Sequence, residues 1–125
     1  MNLGYGIILS MKSAENHFQI QEEILLAKQS RKEGNEGRAR VCARRAAGAA
    51  AGSYLTRQGI TKKTENAYLS LKTLGQMENF PDRIQIAINR LIQRVDGNYQ
   101  LPPGIDLIHE ADIVIQFLEI GQTGN

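Results

Sequence analysis

At 125 residues the chain is long enough for one domain with a real core, and it holds no tryptophan and only 6% aromatic residues, so aliphatic and alanine packing must dominate. A net charge of +2 is too small to mark a nucleic-acid binder by itself, and a single cysteine, Cys42, excludes an internal disulfide and fits a reducing compartment. No apolar run approaches the ~20 residues of a membrane-spanning helix, so a protein of the cytoplasm without a membrane partner is expected.

The chain opens on Leu3-Gly4-Tyr5-Gly6-Ile7-Ile8-Leu9, an apolar run too short and too poor in preceding positive charge for a signal peptide. Met11 offers a second start, and residues 1–12 are expected to form a flexible tail. A first helix follows from Ser13 to Glu33, with Ala14, Phe18, Gln21, Ile24, Leu25 and Lys28 tracing its inward stripe. Gly34-Asn35 closes it, and so short a turn forces the next helix back along it as an antiparallel hairpin.

The second helix ends at Gln58-Gly59 and is the most informative element. Its alanine content favours helix strongly. Ala39, Ala43, Ala46, Ala50 and Ser53 recur at alternating four- and three-residue steps, as one narrow seam. Val41, Gly48, Gly52 and Leu55 form a second seam on another side. Two glycines inside a helix each cost about 1 kcal/mol relative to alanine, so a close backbone neighbour is expected along that second seam. Another helix of the same chain can supply it, but pairing with a second copy is the expectation, giving a homodimer that Gly48→Leu would split.

A third helix is capped by Thr61 and turns Ala67, Tyr68, Leu71 and Leu74 inward, with Gly75 weakening its end. Pro81 opens a fourth, with Ile84, Ala87, Ile88, Leu91 and Val95 on one face, stopped by Asp96-Gly97-Asn98. Leu101-Pro102-Pro103-Gly104 is a stiff link to a fifth helix, capped by Asp106, that buries Leu107, Ile108, Ala111, Val114, Ile115 and Leu118. Residues 121–125 read as a frayed tail. The pattern predicts an all-α, up-and-down bundle of four or five helices over residues 13–120.

Charge is segregated along this layout. Seven basic residues lie between Lys28 and Arg45, whereas after Arg94 the charged side chains are all acidic. Arg38, Arg40, Arg44 and Arg45 border the second seam as two short rows, and guanidinium rows can straddle phosphates. They can equally rim an interface or face an acidic last helix. Cys42 and His109 are the pieces of a nucleophile–base pair, and the nearby Arg38 and Arg45 would lower the thiol pKa. No oxyanion or glycine-elbow pattern accompanies them, and isolated cysteines in alanine-rich helices are mostly small core residues. Asp106, His109, Glu110 and Asp112 crowd one helix start, with His17 the other imidazole of the chain, but two ligands on one turn do not make a metal site. Neither a metal nor a cofactor is expected.

The order of elements, with the Gly-Asn turn, the Ala-Arg-Arg-Ala-Ala-Gly run at residues 43–48 and the Leu-Pro-Pro-Gly-Ile-Asp run at residues 101–106, resembles the HEPN superfamily of small prokaryotic helical bundles. The resemblance implies a four- or five-helix bundle, usually dimeric, among whose members some are toxin-type or defence ribonucleases and others bind nucleotides or nucleic acid without cleaving. The ribonuclease members place an Arg a few residues before a His, and neither His17 nor His109 has such an arginine. A non-enzymatic, self-associating bundle that binds a nucleotide, RNA, DNA or a protein partner through Arg38, Arg40, Arg44 and Arg45 is therefore expected. The alternative is a ribonuclease with a divergent site using Arg44 or Arg45 with His109.

Overall fold

A computed structural model describes residues 3–60, 66–77, 79–93 and 104–123, with side chains described from Asn16 to Glu119. Five helices run α1 (Leu3–Lys32), α2 (Glu36–Arg57), α3 (Ala67–Gln76), α4 (Asp82–Ile92) and α5 (Leu107–Thr123), and the described residues contain no strand. The all-α bundle is as the periodicity predicts.

The α1–α2 turn shows how local chemistry sets the hairpin. Gly34 takes φ +81°, a left-handed conformation that lets its N–H reach the Arg31 carbonyl and the Asn35 N–H reach that of Ser30. Asn35 then caps α2 by accepting from the Arg38 N–H. One glycine and one asparagine end a helix and start the next. At the far end of α2, Gly59 repeats the same closure, with Ile60 bonded back to Leu55 and Gly59 to Thr56.

Central α2 packs against α1, α3 and α5, while α4 packs against α3 and α5. Ala39, Ala43, Ala46 and Ala50 are all buried, together with Cys42, Ala47 and Ala51, so the alanine seam is core as expected. Side chains this small let three neighbouring helices approach one axis. Pairings across the bundle fix directions. His17 meets Glu119 and Arg31 meets Asp106, so α5 is antiparallel to α1. Phe80 meets Phe117 while Arg90 meets Glu110, so α4 is antiparallel to α5.

Several expectations are corrected. The first helix begins at Leu3, not Ser13, with no proline between them to stop it, although Gly4 and Gly6 lower the local helix propensity. The inward stripe of α1 is Ile20, Ile24 and Ala27, whereas Phe18 and Leu25 are each 64% exposed. The two stripes share Ile24 and their centres differ by about a third of a turn, and the one ending in small Ala27 fits against alanine-lined α2. Helix α3 starts at Ala67 with Asn66, whose side chain accepts from the Leu69 N–H, as its cap. Thr61 lies outside the described residues, as do Val95, the Asp96-Gly97-Asn98 stop and the Leu101-Pro102-Pro103 link. Pro81 stands one residue ahead of α4, and α5 continues to Thr123 through part of the expected C-terminal tail.

The second seam is divided by the fold. Gly48 is buried under α3, where an added Cβ would overlap both the Cβ and the Cα of Ala67. Leu55 is fully buried, Gly52 partly so, and Val41 stays exposed. The close backbone neighbour that the glycine demanded is therefore α3 of the same chain. The four residues do not form a continuous surface for a second copy.

Candidate functional site

The four arginines of α2 turn to different tasks. Arg44 reaches across to α4, where its Nε donates to the Leu91 carbonyl at 2.6 Å. Leu91 lies in the last turn of α4, where carbonyls lack helical donors and the macrodipole is negative, so a guanidinium there completes the helix end. Burial, and secondarily the charge of Arg40, pulls the Arg44 pKa below its ordinary value. Arg44 is a structural brace. Arg44→Ala is expected to remove about 1–2 kcal/mol of stability by leaving that carbonyl unpaired, which urea denaturation would measure.

Arg40 lies 3.8 Å from Glu36, and Glu36 is mainly held by Arg31. The Arg31 fork donates to both Glu36 oxygens at 2.9 and 2.7 Å, and its remaining nitrogen donates to Asp106 at 2.9 Å. Asp106 also accepts from the Ile108 and His109 N–H groups, so it caps α5 as expected while tying that helix to α1. The Arg31 hydrogen bonds hold Glu36 below the usual carboxylate range. Burial pushes Asp106 upward, but Arg31 and the two backbone donors outweigh it and leave its pKa low.

Arg38 and Arg45 differ from the other two. Both are exposed, and neither is in an ion pair among the described residues. Seven positions apart, they share one strip of α2 with exposed Val41 between them, about 10 Å from end to end. Lys28 and Lys32 are exposed at the same end of the hairpin.

Cys42 is buried at 2% exposure against α1, where burial and then the charge of Glu23 push its thiol pKa up. Arg38 and Arg45 pull the other way and lose, so the thiol is not activated and Cys42 is a small core residue, as its place in an alanine-rich helix suggests. His109 is exposed on α5, and among the described residues no hydrogen bond joins it to Arg44, Arg45 or Cys42. His17 contacts Glu119 at 3.0 Å rather than the Asp106 turn. Among the described residues no group of three or more His, Cys, Asp or Glu side chains is placed to hold a metal.

Two arrangements escaped the sequence reading. Glu110 is only 2% exposed, yet it carries a carboxylate gripped from both sides. Arg83 donates to its two oxygens at 3.1 and 2.5 Å, and Arg90 donates to one at 2.5 Å. Burial alone would raise the Glu110 pKa, but the two guanidiniums outweigh it and hold the group ionised. The signal was present: Glu110 falls three after Leu107 and four before Val114, inside the apolar stripe, and Arg83 and Arg90 are seven apart.

The other is a cleft of about 520 Å³ where the end of α2, the residues before α4 and the later part of α5 converge. Tyr54, Phe80 and Phe117 form a chain of edge-to-face rings, with centroids 5.9 and 5.7 Å apart. Arg57, Gln58 and Asn79 add polar groups, and Leu118 completes the lining. The residues come from three elements, so no local motif announces them.

Comparison with known proteins finds no matching family model and no matching curated protein or solved structure. The fold defines an all-α bundle, and among the described residues no helix is long and apolar enough to cross a membrane.

Proposed function

We propose that this chain is a non-enzymatic binding protein that holds the phosphates of a nucleic acid or nucleotide on the outer strip of α2 through Arg38 and Arg45. The carrying observation is that these two of the four arginines remain solvent-facing and unpaired with acid among the described residues, while Arg44 reaches across to α4 and Arg40 lies beside Glu36 of its own helix. Exposed Lys28 and Lys32 add positive charge to the hairpin, and the HEPN-like order of elements is compatible with such a role. Self-association through Val41, Gly48, Gly52 and Leu55 is not part of the proposal, since α3 covers Gly48.

Titration of a labelled single-stranded RNA at several salt concentrations tests it. Two phosphate contacts give a log–log salt slope of about −1.4 for a single strand. Arg38→Glu with Arg45→Glu is expected to abolish binding and leave helicity unchanged, because neither side chain braces another helix. Binding that ignores both salt and the double substitution would remove this strip as the site. The same incubation reads out the ribonuclease alternative: cleavage that is lost in His109→Ala would establish an enzyme.

A further inference from the structure

We propose that the aromatic cleft between the end of α2, the residues before α4 and the later part of α5 is a second binding site, for a small flat aromatic anion whose ring lies against Tyr54, Phe80 and Phe117 and whose charged group meets Arg57. The site is separate from the Arg38/Arg45 strip and does not depend on it.

Size and lining come first. A volume of about 520 Å³ lies within the ~300–1,000 Å³ range typical of small-molecule sites. Such sites pair apolar and aromatic walls with a few convergent polar groups, and this cleft does so. Ring edges and faces are presented in turn along the Tyr54–Phe80–Phe117 chain, at interplanar angles of 61° and 83°. An aromatic guest can therefore stack or meet edge-on with each wall.

Charge then selects the guest. Among the described residues Arg57 donates to the neutral Ser53 hydroxyl at 2.5 Å and is in no ion pair. Glu119 is close enough to act on Arg57 electrostatically, but its Oε1 is engaged by His17 at 3.0 Å. Arg57 stays exposed on the cleft wall, so its guanidinium is open to a guest. An anion seated beside it supplies the missing partner through charge-assisted, bidentate hydrogen bonds. Gln58 and Asn79 bring amide groups to the same wall. A carboxylate and a phosphate monoester share this chemistry.

Isothermal titration of the full chain with 2-naphthoate, 2-naphthyl phosphate and neutral 2-naphthylmethanol separates these head groups. At least one anion is expected to bind tenfold or more tightly than the alcohol, and the tighter of the two identifies the head group. Arg57→Gln should erase that margin, and Phe117→Leu should weaken binding of all the probes. Gln19→Ala, at an exposed position of α1 outside the cleft, should change nothing. Thermal midpoints confirm that each variant is folded. The proposal is overturned if no probe binds, if anions and alcohol bind alike, or if Arg57→Gln preserves the preference.

Discussion

Replacing Arg83 and Arg90 together by methionine is expected to lower the thermal midpoint at neutral pH by roughly 5–10 °C. The double substitution leaves the Glu110 carboxylate at 2% exposure with neither guanidinium beside it. An uncompensated buried charge is more damaging than the loss of the pair's own attraction. The arginines are 46% and 38% exposed, so water reaches the cluster from their side and keeps the loss below that of a fully enclosed pair. Glu110→Leu should therefore be the milder change, since both arginines can return to solvent.

Acidity gives the same experiment a sign. In the wild type Glu110, Glu36 and Asp106 all have pKa values below the ordinary carboxylate values. Their stabilisation is complete above those ordinary values, near pH 4–4.5, and is lost as the pH falls through the lower folded-state values. In the doubly substituted protein burial is the remaining influence on Glu110 and raises its pKa, so protonation relieves the defect. The gap between wild type and variant should be widest at pH 7 and narrow below about pH 4. Urea midpoints at the two pH values measure it, and a gap that widens in acid would mean that Glu110 is not the stranded group.

Where information was local, the sequence was readable. Gly34 and Asn35 contain the whole chemistry of the hairpin turn, and Asp106 that of the α5 cap. The alanine seam was equally plain, because α2 is lined with small residues at core spacing. The α1 stripe was misplaced since Phe18 and Leu25 are as apolar as Ile20, and Ile24, common to the expected and the observed stripe, does not choose between them. The arginine rows looked alike for a related reason. Spacing puts Arg40 and Arg44 on one row, but the position of Leu91 in space decides that Arg44 folds inward. Tyr54, Phe80 and Phe117 are 26 and 37 positions apart in sequence, and only the packing of three elements makes them neighbours.

Gly48→Ala and Gly37→Ala are expected to change stability in opposite directions, although both exchange a glycine of the same helix for its best helix former. Alanine brings about 1 kcal/mol of helix propensity at either position. At Gly37 the nearest atom to the new Cβ is Asn35 Oδ1 at 3.9 Å, an ordinary contact, so most of that gain should appear. At Gly48 the Cβ would enter the space of Ala67, including its Cα, so α3 as a whole must move. Overpacking of this kind costs about 1–3 kcal/mol, enough to cancel or reverse the gain. Gly48→Leu, which adds a branched side chain there, should detach α3 from α2 and give the largest loss of cooperativity in unfolding. Ala67→Gly in the Gly48→Ala background should recover only part of the loss, because it removes the Cβ and leaves the Cα in place. Urea denaturation of the four proteins in that cycle, with sedimentation alongside, reads both stability and assembly. If Gly48→Ala instead stabilised the protein, or if Gly48→Leu kept full stability while halving the mass in solution, the seam would face a second copy and not α3.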